Sequence, residues 1–311
     1  MRVLVLLEVG ADVRIPPQLD ARSGRVREEW LVRQPDPASE RALALALELA
    51  AGDPRAEVTV LHLGPADGEP WLRRALAAGA ASAVRVWSAE LEGIGAAGKA
   101  LVLAEAARAA GFDLVLTGSR GVIDASGTLG VVLAEHLGVS CLTQVEALTR
   151  GADATPLLRL TRTLARGYRE RVEAALPLVA TVAPPPGEPT TPQAPSGSAR
   201  LRAEAADIPV WDLADLGVPA ARLREAEEAL RAGPFVPVRP RLVPLAAPDP
   251  SLPVFDRILK LVEGSVKRRE GRVVRQPAEQ TVEQIFEALR AEGWLDHLRA
   301  SSADPYAGEA T

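Results

Sequence analysis

The sequence predicts an α/β fold: a parallel sheet covered by helices on both faces, Rossmann-like and adenine-nucleotide-hydrolase-like, with a hairpin and an extended, partly helical C-terminal arm. Three observations predict it. Apolar runs at 2–7 (RVLVLL), 58–63 (VTVLHL), 83–87 (AVRVW) and 114–116 (LVL) have the shortness and unbroken apolarity of strands buried on both faces. Stretches with helical spacing alternate with these runs through short links, the pattern of parallel strands joined by crossover helices. Residues 113–130, DLVLTGSRGVIDASGTLG, then read as strand, glycine-rich turn and helix start.

Taken in order, 2–7 is the first strand, followed by a polar, loop-like stretch through Arg33 that contains Pro16-Pro17. Asp36-Pro37 opens a helix, with Asp36 as N-cap, proline in the first turn and leucines at 43, 45, 47 and 49. The second strand, 58–63, ends at Gly64-Pro65. Trp71, Leu72, Ala75 and Leu76 mark the next helix, which stops near Gly79. The strand 83–87 is followed by an alanine-rich helix over 96–110 that ends at Gly111. After the 113–130 stretch, Leu129, Val132, Leu133 and Leu137 continue at helical spacing, and a fifth strand lies around 140–145.

From about 155 the pattern changes. Residues 157–164 and 168–174 flank Ala165-Arg166-Gly167 and predict a hairpin of more exposed strands, and 178–182 reads as a further apolar strand. Residues 184–199, PPPGEPTTPQAPSGSA, read as a linker with no means of packing. The cluster 211–218 is short and ordered, 220–232 a polar helix, and 254–262 and 281–298 two further helices. In the last of these, Val282, Ile285, Phe286, Leu289 and Leu295 form an apolar stripe. The expected organisation is a nucleotide-binding α/β domain at 1–183, a Pro/Ser-rich linker at 184–206 and a C-terminal arm at 207–311.

Ligands of such sheets sit at the carboxyl ends of the strands, so the loops after residues 7, 63 and 117 are expected to share one cleft. A strand, a glycine-rich turn and a helix start present unpaired backbone N–H groups and the positive end of the helix dipole to an anion. Ser126 and Thr128 could add hydroxyl donors, and Gly127 lets the backbone approach closely. An ordinary turn capped by Ser126 accounts for the same residues without a ligand.

Bulk composition narrows the function classes. A net charge of −5 with no basic face, and only 4% aromatic residues, argue against nucleic acid. The single Cys141 rules out an internal disulfide and fits a reducing, cytoplasmic setting. His62, His136 and His297 lack ligand spacing. The first apolar run is too short for a signal peptide and no stretch reaches membrane-spanning length, so the expected protein is soluble.

The ordered segments RVLVLL, DPASERALALALEL, VTVLHLGPA, LRRALAAGAASAVRV, DLVLTGSRGVIDASGTLGVVLAEHLGV, ALPLVATV, WDLADLGV and GRVVRQPAEQTVEQIFEALRAEGWL resemble the beta subunit of electron transfer flavoprotein. The resemblance implies an electron-carrier subunit rather than a stand-alone enzyme, paired with an alpha subunit that holds the redox-active FAD. It implies that beta itself binds AMP or, in electron-bifurcating relatives, a second FAD. It places the adenine near Leu6 and Leu63 against the turn Asp36, Pro37, Ala38 and Ser39, and the phosphate against Gly118, Asp124, Ser126, Gly127 and Thr128. It further implies a dehydrogenase or other oxidoreductase as redox partner. The chain departs from the family pattern in several places. Glu8 stands where the family has a lysine, Asp36-Pro37 replaces Asn-Pro, and the acidic run is reduced to Asp124-Ala125-Ser126-Gly127. The partner-recognition loop is replaced by PTTPQAPSGSARLRAEA, with the anchoring leucine's position near Ala194, and 219–265 looks like an insertion.

Three other readings use the same residues. A universal-stress-type ATP module is matched by Gly118 and Gly121, but its third glycine would fall at Val131, one past Gly130. An ATP pyrophosphatase needs a donor-rich loop where this chain has Glu8-Val9-Gly10-Ala11-Asp12. A degenerate, nucleotide-free scaffold subunit is favoured by Glu8 and opposed by the retained Ser126-Gly127-Thr128.

Overall fold

The computed structural model describes residues 1–12, 14–16, 18–20, 27, 30–53, 55–121, 126–150, 157–184, 195–229, 250–263 and 276–291. The chain divides into two compact units, Met1–Pro234 and Phe235–Thr311.

The first unit is built on a nine-stranded sheet. Its strands are β1 (Arg2–Leu6), β4 (Glu57–Leu63), β5 (Ser82–Val86), β6 (Leu114–Gly118), β7 (Ser140–Arg150), β8 (Leu157–Thr163), β9 (Arg169–Ala175), β10 (Leu178–Val182) and β11 (Val210–Trp211). They lie in the order β11-β5-β4-β1-β6-β10-β7-β8-β9. Every pairing from β11 to β7 is parallel, whereas β7–β8 and β8–β9 are antiparallel. The buried runs Val3–Leu6, Leu114–Thr117 and Leu178–Val182 form the sheet's centre, because a strand covered on both faces must be apolar on both.

One face is covered by α1 (Pro37–Ala51) and α2 (Glu69–Ala78), whose Leu43, Leu45, Leu49, Leu72 and Ala75 pack against Val3, Val5, Val58 and Val60. The other is covered by α3 (Ala96–Ala110) and α4 (Leu129–Leu137), which enclose Leu4, Leu61, Val84 and Val115 together with Leu213, Val218 and Leu223. Asp36 caps α1 as its sequence suggests, and Gly138 ends α4 in the left-handed conformation.

Four segments differ from the expectation. The stretch after β1 is not simply a loop: β2 (Val9–Ala11) and β3 (Arg33–Pro35) pair as an antiparallel ribbon. Three-residue strands carry too little periodicity to be seen in one dimension. β7 runs on to Arg150 because β8 supplies a partner beyond the parallel region. The expected linker contains α5 (Gly197–Ala205), capped by Ser196. Arg73 of α2 donates to the carbonyls of Ala203, Glu204 and Ala206 at the end of α5, and Ala203 is buried, so this segment packs after all. Residues 185–194 lie outside the described residues. Finally, 211–218 is more than an ordered cluster, since Val210–Trp211 adds a parallel edge strand to β5.

Helix α6 (Ala220–Ala229) belongs to the first unit and lies on α3. The second unit contains α7 (Val254–Glu263) and α8 (Ala278–Ala291). Val282, Ile285 and Phe286 of the expected stripe are exposed and Leu289 is half-buried, while Leu295 lies outside the described residues. Among the described residues, no helix is long and apolar enough to cross a membrane.

Candidate functional site

From β1 the chain proceeds outward to β4 and β5, then returns to place β6 on the other side of β1. The loops after β1 and β6 therefore diverge, and a crevice opens between them at the carboxyl edge, the position where doubly wound sheets bind ligands. Its floor and walls come from Glu8 after β1, Gly118 to Gly121 after β6, Ala96 and Lys99 of α3, and Ser126, Gly127 and Leu129 at the start of α4.

The β1 side is tied to the head of α1. Asp36 Oδ2 accepts from Ser39 N at 2.8 Å and from Ser39 Oγ at 3.2 Å, while Ser39 Oγ accepts from Glu8 N at 3.3 Å. Asp36 N in turn donates to the Glu8 carbonyl at 2.9 Å. Burial pushes the Asp36 carboxyl above its ordinary range, and the bonds from Ser39 oppose that shift. Gly118 lies against this cap: a Cβ there would meet Asp36 Oδ2 at 2.7 Å, with Ala38 Cβ and Ser39 Oγ at 3.2 Å. Asp36, Ala38, Ser39 and Leu6 are buried, and Pro37 and Leu63 are half-buried.

The β6 side carries the polar groups. Ser119 N donates to the Val182 carbonyl at 2.8 Å, which holds the residue at the sheet edge. The residue is 6% exposed, yet Ser119 Oγ has no hydrogen-bond partner among the described residues. A buried hydroxyl without a partner is costly, and in native proteins it commonly marks the place of a ligand or water. Gly127 passes close above Ser119 at φ +66°, where a Cβ would stand 3.2 Å from the Ser119 carbonyl oxygen. Ser126 Oγ lies 3.0 Å from Thr128 Oγ1, and Thr128 stands at the N-cap of α4 without making a side-chain cap bond. The amides of the first turn of α4 are thus left without a side-chain cap at the cleft.

Of the residues picked from the sequence, Gly118, Ser126 and Gly127 line the cleft, and Thr128 heads the adjoining helix. Asp36, Ala38 and Ser39 pack behind Gly118, and Asp124 lies outside the described residues. The loop after β4 does not line this cleft. It folds over His62, whose Nδ1 lies 2.9 Å from the Leu7 carbonyl oxygen and whose Nε2 is so near Gly64 and Gly68 that a Cβ on either would meet it at 2.4 and 2.1 Å. Sequence reasoning missed Ser119, Arg120 and Lys99. Among the described residues, Lys99 and Arg120 bring two cations to the lining against the carboxylate of Glu8, which offsets the charge reversal after β1. Ser119-Arg120 directly follows the strand-ending glycine and was legible as a polar pair. Lys99, in a helix between two other strands, carried no local signal.

Comparison with known proteins gives a consistent picture. The electron transfer flavoprotein domain family matches residues 26–216, more than half of the chain. An electron transfer flavoprotein subunit beta from Clostridium acetobutylicum is 29% identical over 171 residues, covering 55% of this chain and 62% of that protein. The corresponding subunits from Mycobacterium leprae and Mycobacterium bovis are each 29% identical over 195 residues, covering 59% of this chain and 68% of theirs. The matched region therefore spans about two thirds of the length of these relatives.

Proposed function

The chain belongs to the electron transfer flavoprotein family as a beta-type member, and from that premise we propose that it is the beta subunit of an alpha/beta heterodimer that binds an adenine nucleotide, AMP or a second FAD, in the switch-point cleft. The observation that carries this reading is the buried, unpartnered Ser119 Oγ in a cleft that the uncapped start of α4 also lines. A phosphate there would accept from the Ser119 hydroxyl and the first amides of α4, with Arg120 and Lys99 offsetting its charge. Gly118 lets the strand end pack on the Asp36–Ser39 cap behind the cradle, Gly127 adds no side chain to it, and Ser126 and Thr128 supply further hydroxyls.

FAD held mainly by the alpha subunit would supply the redox chemistry, taking electrons from one partner and passing them to another. This chain's part is to form one wall beside that flavin, to hold its own nucleotide, and to dock the alpha subunit. The exposed apolar face of α8, with Val282, Ile285 and Phe286, supports that docking. The redox partner would be a dehydrogenase or another oxidoreductase. In the altered recognition segment, Leu201 of α5 is 74% exposed between Arg200 and Arg202, which supports a contact of different make from the usual leucine-and-lysine loop.

The test is Ser119→Ala. Loss of a hydrogen bond to a charged group costs roughly 1.5–3 kcal/mol, so AMP affinity measured by calorimetry should fall about 10- to 100-fold. Folding stability should hold or rise, because an orphaned buried hydroxyl is removed. Equal AMP binding by the variant, or no AMP binding by the parent chain, would defeat the assignment.

A further inference from the structure

Within the second unit, α7 presents an apolar face to solvent. Val254 is 63% exposed and Phe255 73%, and Ile258 and Leu259 are exposed as well. At positions i, i+1, i+4 and i+5 these four side chains share one side of the helix, and Asp256 and Arg257 fall outside it. Large apolar side chains gathered on one helix face gain free energy only when something apolar covers them.

Charge indicates what that cover is. Residues 254–275 contain seven Lys or Arg against three Asp or Glu, in a chain whose net charge is −5. Five of the basic residues follow the helix directly, at 267, 268, 269, 272 and 275. Helix α8 also exposes apolar side chains, but its balance is opposite: Glu279, Glu283 and Glu287 against Arg290. A polynucleotide would use the basic run and leave the apolar face wet. An anionic bilayer uses both, because its acyl boundary takes up apolar side chains while its headgroups attract cations. The helix has ten residues, about 15 Å of length, which suits it to lie along such a surface and not to cross it.

We propose that α7 is a peripheral membrane anchor that lays Val254, Phe255, Ile258 and Leu259 into the surface of a bilayer containing anionic lipid, with the attraction supplied by the basic sequence that follows. The anchor lies outside the family match and is independent of the nucleotide site.

The experiment sediments the full chain, alone and in complex with its alpha subunit where the two co-purify, with vesicles of phosphatidylcholine and with vesicles that also contain phosphatidylglycerol. Each cation near an anionic surface contributes about fivefold, so partitioning at low salt should be at least about tenfold stronger on the mixed vesicles. High salt should remove most of that difference by screening. Phe255→Asp combined with Ile258→Asp should weaken binding at least about tenfold, and the melting temperature should not move, because both residues are exposed. Arg268→Glu combined with Arg269→Glu should bring binding to mixed vesicles down to the level seen on phosphatidylcholine alone. No sedimentation with mixed vesicles, or equal binding to both kinds, overturns the anchor. So does parent-like binding by the Phe255→Asp and Ile258→Asp variant. Vesicle binding by the free chain that the alpha subunit abolishes would make this face a subunit contact and overturn it too. Retention by duplex DNA in the absence of vesicle binding would do the same by assigning the basic run to a polyanion.

Discussion

Gly130 should be one of the least replaceable residues in the chain. It sits at the second position of α4, where that helix starts against the ends of β6 and β10. A Cβ at this point would stand 2.3 Å from Thr181 Cγ2 and 3.0 Å from Thr117 Cγ2, and both threonines are buried. A contact at 2.3 Å belongs at the upper end of the overpacking range, about 2–3 kcal/mol, and the helix-propensity gain of about 1 kcal/mol from Gly→Ala offsets only part of it. Gly130→Ala should therefore destabilise the first unit by about 1–2 kcal/mol, lowering its melting temperature by about 2–8 °C. Because α4 can relieve the contact by moving its first turn away from the sheet, AMP affinity should fall as well. The decisive measurement is a double-mutant cycle in urea with Thr181→Ser. Serine removes Cγ2 but retains the hydroxyl that accepts from Gln144 N at 3.2 Å. In that background Gly130→Ala should be milder by about 1 kcal/mol. A Gly130→Ala cost below about 0.5 kcal/mol, or an equal cost in both backgrounds, would refute the packing argument.

Two further outcomes are expected. Burial holds the His62 imidazole below its ordinary range, so the unfolded chain binds its proton more readily than the folded one. The sign follows: stability from this residue is present above the unfolded value and is lost as pH falls below it, by up to about 1.4 kcal/mol per pH unit. Urea midpoints from pH 7.5 to pH 5.5 should therefore fall more steeply for the parent than for His62→Gln, and parallel slopes would contradict the burial effect. On α8, Leu289→Asp puts a charge beside the exposed Val282, Ile285 and Phe286 and should abolish co-purification with the alpha subunit. A complex that survives the change would remove this helix from the interface.

Much of the architecture was legible because the signals are local. Runs such as Val3–Leu6 and Leu114–Leu116 are apolar on both faces, Asp36-Pro37 caps α1, and Gly138 closes α4. The strand-turn-helix at 113–130 was legible as a candidate anion site by the same local chemistry. The β2–β3 ribbon was not legible, since each strand has three residues and acquires its identity only from the other. α5 was hidden in a proline-rich composition, and its docking depends on Arg73, more than a hundred residues away.

The sequence by itself determined the central strands and the helices that cover them, that the sheet is mainly parallel, and that a glycine-rich turn starts α4 beside a strand end. Hydrophobic period and capping chemistry act within a few residues, so they can be read along one dimension. Only the tertiary structure decided that Glu8, Lys99 and Ser119 meet in one cleft, that Asp36 and Ser39 are buried behind Gly118, and that Glu227 closes the head of α3. Those juxtapositions follow from the strand order and from the reversal between β1 and β6, which bring together groups whose separation along the chain carries no trace of their proximity.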